Sequence, residues 1–148
     1  MAITVAEALA DQRCDWQVLA TDLSSRALET AEAGVYEVDR LEGLSTQQRR
    51  SFVPCGAAQA RVCDELREHV SFARLDLAHP PFPMKGPFDV IFCRNVMIYL
   101  GTQERAALVA NLERLLARGG RLALSPAEGI VSLHSGLTMV NHALYLRP

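Results

Sequence analysis

Residues 88–100 read Phe-Asp-Val-Ile-Phe-Cys-Arg-Asn-Val-Met-Ile-Tyr-Leu. Val90, Ile91 and Phe92 form a continuous apolar run, the pattern of a strand covered on both faces. The run gives way to Arg94 and Asn95, and Tyr99 follows shortly after. In open α/β sheets ligands bind in the crevice outside the carboxyl ends of the strands. A cation, an amide and a phenol at such an end therefore suggest a ligand site. The plainer alternatives are a surface salt bridge for Arg94 and a place in the core for Tyr99. Val96, Met97 and Ile98 around Tyr99 are apolar, and a buried tyrosine would still need a hydrogen-bond partner.

Two other predicted strands also end in polar groups. Asp22 closes the apolar run Val18-Leu19-Ala20-Thr21. In nucleotide-binding α/β folds an acid at such a position accepts hydrogen bonds from ribose hydroxyls; the alternative is an N-cap for the following helix. Asp76 and Leu77 close the run from Val70. A polar group beside an apolar one suits an adenine base, and an ordinary exit from strand to loop is the alternative. Three successive strand ends with polar groups are harder to dismiss together than singly.

Other chemistries find less support. No G-x-S-x-G and no His-bracketed Cys is present, so no nucleophile is assembled. The four cysteines, at 14, 55, 63 and 93, form no C-x-x-C pair, and with only four histidines no metal site is expected. His69, His79, His134 and His142 fall near loops or turns and read as solvated. Cys93 reads as a small buried hydrophobe at a strand end.

The elements that must position these residues follow from periodicity and breakers. Residues 2–9 read as a helix with no N-cap signal before it. Residues 16–22 read as a short buried strand. Ser24 or Ser25 can cap a helix through Ala27, Leu28 and Ala31, with Gly34 as its stop. Leu41, Leu44 and Phe52 are loosely helical, Pro54-Cys55-Gly56 breaks the pattern, and residues 59–66 suit a small strand or hairpin arm. Residues 70–77 alternate as a strand. Pro80, Pro81, Pro83, Gly86 and Pro87 then impose a loop. Thr102 starts a helix through Ala106, Leu108, Val109, Leu112 and Leu116, and Gly119-Gly120 is read as its stop. Residues 121–125 form another strand, and 137–140 with 143–146 a terminal pair joined by an Asn-His turn. Strands alternating with helices predict a mostly parallel sheet with helices on both faces and an antiparallel edge.

The chain has 148 residues, enough for one domain with a real core. With 49% hydrophobic and 22% charged residues it has the balance of a soluble globular protein. A net charge of -2 offers no electrostatic case for nucleic acid or an anionic membrane. No apolar run approaches the roughly 20 residues that span a bilayer. The first ten residues lack the basic and apolar regions of a secretory signal, so reduced thiols and a cytoplasmic location are expected.

Taken in order, these motifs resemble those of the chemotaxis receptor glutamate methyltransferases (CheR-type), which use S-adenosylmethionine. The matching residues are Leu19-Ala20-Thr21-Asp22, Ala33-Gly34-Val35-Tyr36, Leu41-Glu42-Gly43-Leu44, Phe72-Ala73-Arg74-Leu75-Asp76-Leu77 and, above all, the run from Gly86 through Cys93-Arg94-Asn95-Val96-Met97-Ile98-Tyr99. Gly119-Gly120-Arg121-Leu122 and Leu144-Tyr145-Leu146-Arg147 also fit. The Cys-Arg-Asn-Val-Met-Ile-Tyr run is highly specific to the family, and the rest is generic for methyltransferases. The resemblance implies a Rossmann-like class I methyltransferase fold, with residues 1–148 forming a partial catalytic domain. Within it, residues 45–66 would be a small inserted β-subdomain. It implies that Asp22 holds the ribose, that Asp76 and Leu77 contact adenine, that Arg94 and Asn95 line the cofactor and substrate pocket, and that Tyr99 faces the reacting groups. Arg94 and Tyr99 would be the catalytic pair. The implied reaction is methyl transfer to glutamate side chains on chemoreceptor cytoplasmic domains.

The chain departs from the family pattern in three places. The strand and glycine-rich turn that grip the methionine end of the cofactor are expected to be missing, because residue 1 falls in the helix that would follow them. Two half-sheets with open edges would result. The family usually has Asn at the position of Asp76, and a Gly-His-Ser-Glu run where this chain has Ser125-Pro126-Ala127-Glu128. The small β-subdomain is a few residues shorter than in members that grip a receptor-tail peptide, so no such tether is expected. These departures keep open a second reading, an inactive remnant that binds a receptor or another partner. A Rossmann-like nucleotide enzyme of another class is disfavoured, since the chain contains no G-x-G-x-x-G.

Overall fold

A computed structural model describes residues 1–125 and 135–148 of the chain. They form two compact units, Met1–Leu75 and Asp76–Pro148.

In the first unit, helix α1 (Ala2–Ala8) begins without a side-chain cap, as its sequence implies. Strand β1 (Val18–Asp22) leads to α2 (Ser25–Ala33). The Ser24 hydroxyl accepts the Ala27 N–H at 3.2 Å and caps α2. Gly34, left-handed at φ 64°, ends it. A small antiparallel sheet follows, built from β2 (Val35–Glu37), β3 (Phe52–Pro54) and β4 (Gln59–Val62) in the order β2-β4-β3. The helical turn Val38–Leu41 and the short helix α3 (Thr46–Arg49) lie between β2 and β3. The small sheet thus draws its first strand from ahead of residue 45. Phe52, grouped by pattern with helical residues, belongs to β3 and meets Tyr36 edge-on at 5.9 Å. Helix α4 (Asp64–Arg67) then leads into β5 (Val70–Arg74), which pairs in parallel with β1 from Val18↔Val70 to Asp22↔Arg74.

Three expectations for this unit are corrected. β1 is not fully buried: Leu19 is exposed, because β5 is its only strand neighbour among the described residues. The strand expected over 70–77 ends at Arg74, since the Asp76 side chain bonds the Ala78 N–H and turns the chain. His69 is not solvated. It is half-buried, its ring stacks on Trp16 at 4.2 Å, and its Nδ1 lies 3.0 Å from the Trp16 carbonyl oxygen.

In the second unit, β6 (Phe88–Cys93) and β7 (Leu116–Leu124) are parallel neighbours joined through α5 (Thr102–Leu115). The hairpin β8 (Thr138–Asn141) and β9 (Leu144–Leu146) completes a sheet of order β6-β7-β9-β8, with the antiparallel edge the sequence predicts. His142 is exposed in the hairpin turn. Leu108, Val109 and Leu112 of α5 are at most 4% exposed and pack with Leu116, Leu122, Leu124 and Tyr145 in the core. Each such aliphatic side chain stabilises the fold by about 1.5–3 kcal/mol relative to exposure.

Two expectations are corrected here as well. β6 is not covered on both faces: Val90 is 48% and Phe92 52% exposed. They alternate with Ile91 and the buried Cys93, and β7 is β6's only strand neighbour among the described residues. Gly119-Gly120 does not stop α5, which already ends at Leu115 where β7 begins. The glycines instead build an irregularity at the start of β7, where pairing jumps from Phe88↔Leu116 to Val90↔Arg121. Gly119 has φ +76°, and a Cβ on Gly120 would lie 2.8 Å from the Ala117 carbonyl oxygen. Only residues lacking Cβ fit such a path.

Candidate functional site

β6 delivers three of the predicted residues. Cys93, 5% exposed, is the last strand residue, and the chain then emerges with Arg94 and Asn95 exposed. Asn95 takes the left-handed conformation, φ 60°, which asparagine tolerates better than most residues. Its N–H donates to the Ser125 hydroxyl at 3.2 Å, and that hydroxyl donates to Asn95 Oδ1 at 2.8 Å. Ser125 is 6% exposed and follows directly on β7. These bonds tie the carboxyl ends of two neighbouring parallel strands.

The next turn separates its residues by side. Met97 is 1% exposed and anchors the short helical turn Met97–Tyr99, whereas Tyr99 is 82% exposed. A place in the core for Tyr99 is thereby ruled out. Arg94 makes no hydrogen bond or ion pair among the described residues, so the surface salt bridge considered for it is not formed. The strand end thus presents a guanidinium and, after one turn, a phenol. Such a pair can hold a carboxylate by charge-assisted hydrogen bonds.

In the first unit, Asp22 stands at the end of β1. Its backbone carbonyl accepts the Leu75 N–H at 3.0 Å, and its Oδ1 accepts the Ser24 N–H at 2.8 Å. The helix cap is Ser24, so Asp22 shapes the turn into α2 rather than capping it. Arg74, its register partner, donates from Nε to the Leu23 carbonyl at 3.0 Å and holds the same turn. Asp22 Oδ2 has no partner among the described residues, and the side chain is exposed. That oxygen has the chemistry a ribose hydroxyl needs.

Asp76 and Leu77 begin the second unit and lie in a turn. Asp76 Oδ1 accepts the Ala78 N–H at 2.9 Å, and Oδ2 lies 2.8 Å from His79 Nδ1. His79 was expected to be merely solvated. It is highly exposed, yet it pairs with Asp76. An ionised carboxylate is an acceptor with about four sites, and these two bonds anchor Asp76 in the turn. Leu77 is half-buried beside it.

The structure therefore gathers Arg94, Asn95 and Tyr99 on one strand end and its turn, and sets Asp22 in the other unit. Pattern reading missed Ser125, His79 and Arg74. The signals were present: a serine directly after β7's apolar run, an Asp-x-x-His spacing, and an arginine two residues before Asp76. Pro126, Ala127, Glu128 and His134 lie outside the described residues. No group of three or more potential metal ligands occurs among the described residues. Two concavities, of about 900 and 690 Å³, belong to the first unit and contain none of the predicted site residues. The larger reaches Val70, Ser71 and Phe72, at the start of β5. The chemistry of α/β sheets resides at the opposite strand ends, so this concavity does not mark the site.

Comparison with known proteins bears on the family of the chain. The family model for the CheR methyltransferase SAM-binding domain matches residues 1–145. The chemotaxis protein methyltransferase of Escherichia coli K12 is 32% identical over 98% of this chain and 52% of its own length. Chemotaxis protein methyltransferase 2 of Pseudomonas aeruginosa is likewise 32% identical, over 98% of this chain and 53% of its own. The chain thus spans about half the length of the curated relatives it matches. Among solved structures, the glycopeptide N-methyltransferase MtfA, complexed with S-adenosylhomocysteine, aligns over 99% of this chain and 59% of its own. That alignment has 15% identity and a TM-score of 0.45. With the family model matching nearly its whole length, the chain belongs to the CheR methyltransferase family and corresponds to that family's SAM-binding domain.

Proposed function

We propose that this chain is the catalytic domain of an S-adenosylmethionine-dependent protein-glutamate O-methyltransferase acting on chemoreceptor cytoplasmic domains. The observation that carries this reading is Arg94. It is an exposed guanidinium without an internal partner among the described residues, at a strand's carboxyl end, with Tyr99 displayed one turn later.

The proposed roles follow from side-chain chemistry. A substrate glutamate is ionised near pH 7, so no general base is needed. Arg94 orients its carboxylate by charge-assisted hydrogen bonds, and Tyr99 adds one more. The domain's task is alignment rather than proton transfer. Asp22 accepts from ribose hydroxyls through the oxygen left over from the Ser24 bond. Asp76 and Leu77 serve the adenine, and Asn95 lines the pocket beside Arg94. S-adenosylmethionine, when bound, supplies the methyl group on a sulfonium. We take residues 1–148 as one catalytic domain carrying a small β-insertion that grips no receptor-tail peptide, working in the cytoplasm. No described helix is long and apolar enough to cross a membrane.

Calorimetric titration with S-adenosylmethionine, on this chain and on a version extended upstream in frame, tests the cofactor. Transfer of labelled methyl groups to receptor cytoplasmic domains tests the reaction. Binding and base-labile methyl incorporation are expected. No binding by the extended version would remove the enzyme reading.

A further inference from the structure

The bond pattern at the ends of β6 and β7 gives Ser125 more than a packing role. Asn95 is the only non-glycine residue with positive φ among the described residues. Two bonds join it to Ser125, and both run through one atom of the serine. Ser125 Oγ accepts the Asn95 backbone N–H at 3.2 Å and donates to Asn95 Oδ1 at 2.8 Å. A hydroxyl can do both at once, since it carries one donor and two acceptor lone pairs. The clamp is 6% exposed at Ser125, so water competes poorly for these bonds. It fixes the backbone turn at Asn95 and engages the amide oxygen of its side chain. Arg94 is the residue immediately before that turn, with no hydrogen bond or ion pair of its own among the described residues. Its departure from the sheet is therefore set by Asn95's backbone.

We propose that Ser125 is a positioning residue for methyl transfer. It acts through Asn95, whose left-handed turn it holds so that Arg94 meets the substrate carboxylate in a fixed orientation. This rests on the reading of Arg94 as the group that holds that carboxylate.

Ser125→Ala, Ser125→Thr and Asn95→Gly, with the Ser125→Ala/Asn95→Gly double variant, test it in the intact protein. Losing the hydroxyl is expected to lower kcat/KM for the receptor about 3- to 10-fold, with the affinity for S-adenosylhomocysteine changed less than about twofold. Threonine, which keeps the hydroxyl, is expected to restore most of the rate. Glycine at 95 adopts the left-handed turn unaided, so in that background Ser125→Ala should cost clearly less. An undiminished loss in the Asn95→Gly background, or a proportional loss of cofactor affinity, would overturn the proposal. Amide hydrogen exchange at Asn95 supplies a readout independent of activity. Faster exchange in Ser125→Ala with little change in the rest of β6 supports the clamp, and unchanged exchange overturns it. A wild-type protein that transfers no methyl group overturns the functional reading, and the exchange result still separates that failure from failure of the clamp.

Discussion

His79 Nδ1 and Asp76 Oδ2 lie 2.8 Å apart, three residues from each other on one turn. The pairing matters chemically. An ionised aspartate only accepts hydrogen bonds. The nearby histidine brings a donor to the turn, within three residues of the acid.

The pair is highly exposed on the histidine side, and exposed pairs contribute about 0–1 kcal/mol. His79→Ala is therefore expected to weaken binding of S-adenosylmethionine by no more than about fivefold. Asp76→Ala, which removes the acceptor itself, is expected to weaken it more. Titration calorimetry on both variants measures the order, and a larger effect from His79→Ala would contradict the assignment.

Arg94→Ala is expected to lower methylation about 10- to 100-fold, the loss of a hydrogen bond to a charged group, with cofactor affinity nearly unchanged. Arg94→Lys should recover only part of the rate, because an ammonium is a point charge and lacks the guanidinium fork. Parallel losses in transfer and cofactor affinity would show that Arg94 serves the cofactor instead.

Gly120→Ala is expected to destabilise the second unit by about 1–3 kcal/mol. The new Cβ would press on the Ala117 carbonyl oxygen at 2.8 Å and the Phe88 carbonyl oxygen at 3.1 Å. Both are backbone atoms that cannot rotate away. Urea denaturation followed by circular dichroism reads the change. A variant as stable as wild type would mean the irregularity in β7 relaxes without cost.

Trp16 is the single tryptophan in the chain and stacks on His69 at 4.2 Å. His69→Ala removes both the stack and the contact with the Trp16 carbonyl. A red-shifted Trp16 emission and a destabilisation of about 1–2 kcal/mol are expected. Unchanged emission would place Trp16 in a different environment.

Much of the fold was legible from local pattern. The α2 boundaries at Ser24 and Gly34, the start of α5 at Thr102 and the terminal hairpin all rest on capping, helical or turn chemistry that neighbouring residues dictate. The errors share one cause. Burial of β1 and β6 depends on what lies beside them, and Val90 and Phe92 look like core residues in sequence while lying exposed on an edge strand. Gly119-Gly120 reads as a helix stop locally, but its place is set by the close approach of Phe88 and Ala117.

By itself, the sequence determined that strands alternate with helices, that polar groups close several strands, and that an apolar run at residues 90–92 gives way to Arg94, Asn95 and Tyr99. Those properties depend on residue type and near spacing. Tertiary structure alone decided which polar groups meet. Asn95 and Ser125 are thirty positions apart and touch because β6 and β7 are parallel neighbours in one register. Arg74 reaches the turn after Asp22 because β1 and β5 pair in parallel. A parallel pair joins residues separated by a whole crossover, and a hydrogen bond depends on the distances that crossover closes rather than on spacing along the chain.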